Sequence, residues 1–201
     1  MTTKKGAATR LRIVEAAAAE IRERGLNAVT LDDVGRRSGT GKGQLFHYFA
    51  EGREELLLAV AEHEADRVFE GQRPYLDELT SRAAWEAWRD LIVSQYRDQG
   101  LYCPLGVLIS DVGRHSPASQ AVAAQLVKRW QECIRAGIEA TQAAGEADPR
   151  LDPDRTAAAV IGTIQGGVTV LLSTGSTEHL EAGLDLCLDR LLSWASTPGP
   201  G

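Results

Sequence analysis

Apolar residues recur at helical spacing along most of the chain. Ile13, Ala17 and Ile21 fall four apart, with Ala16 beside them, and predict an amphipathic helix from about Thr9 to Arg24. Gly25 follows as its C′ residue. Thr30-Leu31-Asp32-Asp33 has the form of a capping box, with two acids in the first turn where the helix dipole favours them. It opens a short second helix over 31–37, stopped by Ser38-Gly39. A third short helix is expected over 41–48. After Glu51-Gly52 a long fourth begins near Arg53. Further helices are expected at 81–99, 105–113, 117–144, 153–174 and 178–194. Pro104, Pro117, Pro149 and Pro153 stand at helix starts or in breaks, where proline is tolerated. No segment alternates with period two, so the predicted fold class is all-α. Residues 196–201 form a Pro/Gly tail expected to be disordered. No internal repeat is present.

Charge divides the chain. Residues 1–53 hold ten Lys and Arg against six Asp and Glu, a net +4, whereas 54–201 hold twelve against twenty-two, a net −10. The acidic pI of about 5.3 argues against a protein that coats nucleic acid, and a basic head on an acidic body argues for one confined contact surface. The mean hydropathy of −0.21 and the 43% hydrophobic content are those of a globular protein. The most apolar stretch, 157–172, is interrupted by Gly162, Thr163, Gln165, Gly166, Gly167 and Thr169, and reads as a buried helix rather than a membrane span. No targeting signal opens the chain, so the cytoplasm is the expected compartment. Cys103, Cys133 and Cys187 are odd in number and far apart, which excludes a full disulfide framework and any C-x-x-C motif.

The segment T30-LDDVGRR-SGTG-KGQLFHYF is a short helix, a Gly-containing turn and a second short helix. Val34 and Leu45 are the apolar pegs between the two helices, and Gly39 permits the turn. Lys42, Gln44 and His47 project outward. Gln reads adenine through two hydrogen bonds, and Lys reads guanine or holds phosphate. Gly43 lets the backbone approach DNA closely, and Thr30 stands at a helix N-terminus suited to a phosphate oxygen.

On these residues, 9–60 resemble the DNA-binding domain of the TetR/AcrR family. Ile13, Ala16, Ala17, Gly25, Thr30, Val34-Gly35, Ser38 to Gly41, Lys42 to Phe49 and Glu54 to Leu57 match its pattern in order. There are three departures. Gly41 replaces the usual Ser before the recognition helix, which weakens its cap. Phe46 replaces the phosphate-binding Tyr, leaving Tyr48 to supply a hydroxyl. One extra residue before helix 4 aligns Arg53 with the family's phosphate-binding Lys. The resemblance implies a helix-turn-helix domain over 1–56 and a helical ligand-binding and dimerisation domain over 57–195. Thr30, Thr40, Lys42, Gly43, Gln44, His47, Tyr48 and Arg53 are the expected DNA contacts. The C-terminal half resembles repressors of drug-efflux genes, on Cys103 to Gly106, Ala143 to Glu146 and Gln165 to Gly167.

The implied function is repression of a palindromic operator in double-stranded DNA by a homodimer, released by a small-molecule inducer. Phe69, Trp85, Trp88, Tyr96, Leu108 and Trp130, with Gln165 as the polar group, are the expected lining of a largely apolar cavity. The last two long helices are expected to form the dimer interface through Gly162, Gly166, Leu180, Leu184 and Leu191. No cofactor, metal or membrane partner is expected. SGTGKG is no P-loop: Lys42 is followed by Gly43, and Arg36 stands where the first Gly belongs. His63 and Asp66, one turn apart, lie on a charged helix face. The competing class is an all-α enzyme or helical-bundle protein that binds a small molecule without DNA. No catalytic arrangement is legible from the spacing, and a gel shift discriminates the two.

Overall fold

The computed structural model describes residues 4–99 and 117–193, and among these every regular element is helical. The helices are α1 (Lys4–Arg24), α2 (Leu31–Ser38), α3 (Lys42–Tyr48), α4 (Arg53–Leu76), α5 (Arg82–Gln99), α6 (Pro117–Ala143), α7 (Pro153–Thr174) and α8 (Glu178–Leu192), with a 3-10 turn at Leu26–Ala28. The helix expected at 105–113, Leu108 and the Pro/Gly tail lie outside the described residues.

One helix start differs from expectation. α1 starts at Lys4 rather than near Thr9, because Thr9 Oγ1 donates to Lys5 O (3.1 Å) and the helical ladder runs on past the last apolar residue. α4 carries Pro74 within its last turn and ends two residues later at Leu76. Proline removes one backbone donor and crowds the preceding turn.

Contacts divide the described chain into two compact units, one of residues 4–68 with 117–124 and one of 69–99 with 125–193. The core of the first is Ile13, Ala17 and Ile21 of α1, Val34 of α2, Leu45 of α3, Phe49 just after α3 and Val60 of α4, all nearly or fully inaccessible. The second is built around α5, α6, α7 and α8. Trp85 and Trp88 on α5 meet edge to face at 5.8 Å, and both are fully buried. Trp85 Nε1 donates to Thr141 Oγ1 (2.9 Å), and Trp88 Nε1 donates to Gln72 Oε1 (3.4 Å).

α7 and α8 pack as an antiparallel pair. A Cβ on Gly167 would lie 2.6 Å from Leu180 Cα, and one on Gly183 would lie 2.6 Å from Thr163 Cγ2. By length and composition α7 is apolar enough to cross a membrane, and 39% of its most apolar window is buried within the protein. The loop before it is held by Asp148, 1% exposed, which accepts from Arg150 (2.9 Å) and Arg190 (3.3 Å).

Candidate nucleic-acid interface

The site is built from α2, the turn and α3. Thr30 caps α2: its Oγ1 accepts from Asp33 N (3.2 Å), while Asp33 Oδ2 accepts from Thr30 N (3.1 Å). This is the reciprocal box expected from the sequence. The Thr30 hydroxyl and backbone, then Arg24, hold the Asp33 carboxyl far below the ordinary carboxylate range. Gly39 ends α2 at φ 64°, a left-handed turn that costs a β-carbon residue about 1 kcal/mol or more. Gly41 precedes α3 and supplies no side-chain cap, as its lack of a hydroxyl requires.

This turn seats Val34 and Leu45, 1% and 2% exposed, against α1. With Leu45 inward, Lys42, Gly43, Gln44, Phe46 and His47 are left exposed and Tyr48 half-buried. The His47 and Tyr48 rings meet edge to face at 5.1 Å. A cleft of about 170 Å³ lies between the helices, lined by Leu31, Gly35, Arg36, Thr40, Lys42 and Phe46 among others.

Two expected contacts are placed differently. The Thr40 side chain is 5% exposed and lies within reach of Ser38 O at 3.5 Å, so its hydroxyl is turned into the head. The Arg53 guanidinium donates to Leu26 O (2.7 Å) and Val29 O (3.1 Å), binding the first residue of α4 to the segment before α2. Spacing places a residue along a helix but does not say which backbone acceptor its side chain reaches.

The remaining arginines of the head are also engaged. Arg37 makes a forked pair with Glu23 (2.6 and 2.7 Å) and reaches Glu20 (3.1 Å); these bonds raise its pKa and lower that of Glu23. Arg24 bonds Glu20 (3.1 Å) and Asp33 (3.2 Å), and Arg36 shares Asp33 (3.2 Å). Arg22 pairs with Glu64 (2.7 Å), Arg12 Nε donates to Ser38 O (3.0 Å), and Arg10 lies over the Phe49 ring at 5.1 Å. Arg24–Glu20 and Arg36–Asp33 are one helical turn apart, but the other partners lie up to 42 residues away, beyond what local spacing can show.

The described residues expected to line a cavity are, apart from Gln165, core residues of the second unit. Phe69, Trp85, Trp88, Tyr96 and Trp130 are at most 6% exposed, and Gln165 is half-buried. Arg129 lies 4.2 Å from the Phe69 ring centroid. Trp130 Nε1 is buried and has no hydrogen-bond partner among the described residues. Of the expected interface residues, Leu180, Leu184 and Leu191 are at most 1% exposed, buried inside the protomer beneath α7. They are therefore not surface that a second chain can touch. Gly162 and Gly166 are exposed, with nothing within 4 Å of an added Cβ.

A capped α2, a left-handed glycine turn and an α3 with one face inward and a polar face outward define a helix-turn-helix protein. Two family models match the chain: bacterial regulatory proteins of the tetR family over residues 13–60, and the tetracyclin repressor-like C-terminal domain over 81–186. The chain belongs to the TetR family of DNA-binding transcriptional regulators. An uncharacterised helix-turn-helix-type transcriptional regulator of Mycobacterium tuberculosis is 30% identical over 134 residues, which span 61% of this chain and 66% of that regulator. One from Lactococcus lactis, encoded in the lacX 3′ region, is 26% identical over 89% of this chain and 90% of its own. A TetR transcriptional regulator from Chloroflexus aurantiacus superposes with a TM-score of 0.75 at 25% identity, over 92% of this chain and 95% of that one. E. coli NemR shares the fold, with a TM-score of 0.81 at 17% identity, over 96% and 100% of the two chains.

Proposed function

We propose that this regulator is a cytoplasmic repressor that binds a palindromic operator as a homodimer and releases it when a small, largely apolar inducer enters the second unit. The carrying observation is the division of α3: Leu45 is fixed in the core while Lys42, Gly43, Gln44 and His47 stand in solvent. An α3 so presented fits the major groove, where Gln44 reads adenine and Lys42 takes guanine or phosphate. Thr30 and Tyr48 contact phosphates at its flanks. The DNA-binding domain is assigned to 1–56 and the ligand and dimer domain to 57–195. Sequence likeness at 143–146 and 165–167 supports a drug-efflux gene as the target.

The dimer forms on the exposed faces of α7 and α8. Gly162 and Gly166 allow close approach there, and Leu186, 71% exposed, is the large apolar side chain that a second copy covers. Leu180, Leu184 and Leu191 hold the two helices together from beneath.

The test is in vitro selection from random duplexes, followed by titration. Selection of a two-fold symmetric site, bound at least ~10³ tighter than random duplex, is expected. Gln44→Ala relaxes preference at one base position of each half-site, at about 1–3 kcal/mol. Recovery of no enriched site, or of a single asymmetric site bound by a monomer, overturns the reading.

A further inference from the structure

Among the described residues, Trp130 Nε1 on α6 is the sole buried side-chain nitrogen or oxygen without a hydrogen-bond partner. The side chain is 3% exposed. Trp85 and Trp88 are served from within the same unit, by Thr141 Oγ1 at 2.9 Å and Gln72 Oε1 at 3.4 Å. An indole N–H only donates, and a buried donor left unpaired is costly and rare. Packing alone gives no reason to keep it. A phenyl ring would fill most of the same apolar space and carry no donor.

The surroundings say what kind of group is missing. One turn to either side on α6, Leu126 and Ile134 are buried aliphatic residues. Further along this face Gly137 packs against Leu79, and Thr141 is already bonded to Trp85. The preceding residue, Arg129, lies over the Phe69 ring at 4.2 Å. Guanidinium and indole are both donors, so what this stretch of α6 lacks is an acceptor. A buried water needs about three polar partners, and the aliphatic neighbours supply none. An apolar wall with one aimed polar group is how small-molecule sites fix orientation. Gln165, which the sequence favours as the polar group, is half-buried and gains less from a ligand, because solvent reaches it in the free protein.

We propose that Trp130 Nε1 is the recognition group for the inducer and donates to a neutral, carbonyl-type oxygen on an otherwise apolar molecule. The oxygen is neutral because one uncharged donor among apolar neighbours cannot offset the burial of an anion. This rests on the inducer reading above and adds to it the chemistry that the inducer must carry.

The test uses the full chain with 15N-labelled indoles and probe pairs that differ by a carbonyl: acetophenone against ethylbenzene, and benzophenone against diphenylmethane. The Trp130 indole signal is identified by its loss in Trp130→Phe. The ketone of at least one pair is expected to shift that signal downfield and to bind about 2- to 10-fold tighter than its hydrocarbon, the net gain of one hydrogen bond. Trp130→Phe is expected to lose the preference while still binding the hydrocarbon. Trp85→Phe, which removes a donor that is already bonded, is expected to keep the preference. Equal binding within both pairs, a preference that survives Trp130→Phe, no binding of any probe, or a cross-peak from the Trp130 N–H to a bound water in the free protein overturns the acceptor site. Operator affinity is measured on the same samples. A ketone that shifts the Trp130 signal and leaves operator affinity unchanged supports the acceptor site and overturns the inducer reading. Equal operator release by ketone and hydrocarbon supports the inducer reading and overturns the acceptor site.

Discussion

Arg22 on α1 donates a 2.7 Å hydrogen bond to Glu64 on α4, whose side chain is wholly inaccessible to solvent. Arg67, one turn further along α4, closes on the other carboxylate oxygen at 2.8 Å. A buried carboxylate requires such partners, because burying an unpaired charge is among the largest penalties a fold can carry. Arg22→Ala leaves Glu64 with one partner and is expected to destabilise the head by about 1.5–3 kcal/mol. Arg22→Ala with Arg67→Ala strands the charge and costs more than the two single losses added. Denaturant unfolding of the four proteins measures this, and strict additivity would contradict the shared-carboxylate account.

Adjacent glycines on α7 have opposite surroundings, so they fail differently. A Cβ at Gly167 meets the Leu180 backbone, and Gly167→Ala is expected to weaken the α7–α8 pair by about 1–3 kcal/mol in thermal unfolding. A side chain at Gly166 meets nothing within the protomer. Gly166→Leu is expected to leave the protomer folded by circular dichroism and to sediment as a monomer. A Gly166→Leu dimer as tight as wild type would move the interface off this face.

Trp85 and Trp130 have equally buried rings but unequal hydrogen bonding. Trp85 Nε1 bonds Thr141, whereas Trp130 Nε1 has no partner among the described residues. Trp→Phe removes similar volume at each. At Trp85 it also removes a satisfied hydrogen bond, and at Trp130 it removes a donor that is unpaired among the described residues, worth about 1–3 kcal/mol. Trp85→Phe is expected to be the more destabilising by about that difference. Equal shifts in the unfolding midpoint would mean that Trp130 is satisfied in solution.

Asp33 gives the head an acid sensitivity of known sign. Its folded pKa is depressed by the Thr30 hydroxyl, the Thr30 backbone and Arg24. A depressed carboxylate contributes stability above its unfolded pKa, near 4, and loses it as pH falls through the folded value. Stability should therefore hold between pH 7 and about 4 and fall below that. Asp33→Asn should show a shallower acid decline, read from melting temperature against pH, and parallel curves would remove Asp33 from the account.

The helices were legible because their evidence is local. Ile13, Ala17 and Ile21 mark α1, Thr30 and Asp33 cap α2, and Gly39 ends it, each within a few residues. α1 nevertheless began five residues early, since Lys4 to Ala8 carry no apolar stripe to announce a helix. What faces what was not legible. The stripe of Leu180, Leu184 and Leu191 has the same spacing whether it meets a second chain or, as found, the protomer's own core. Arg53 matched a phosphate-binding position, yet its acceptors, Leu26 O and Val29 O, lie 27 and 24 residues back. Periodicity gives a face; only the fold gives its neighbour.

The reciprocal glycines of α7 and α8 constrain how the second unit can move. Leu180 sits on Gly167 and Thr163 sits on Gly183, so each helix carries both a notch and a tooth. Sliding either helix along the other would drive a side chain out of its notch and onto a neighbouring residue that has a Cβ. Small shear is thus blocked in both directions, and the pair behaves as a keyed joint. In the proposed switch, motion on ligand entry leaves this joint intact, turning it as one rigid body or passing through other helices around it. Amide exchange along α7 at 160–168 should accordingly remain slow whether or not ligand is bound.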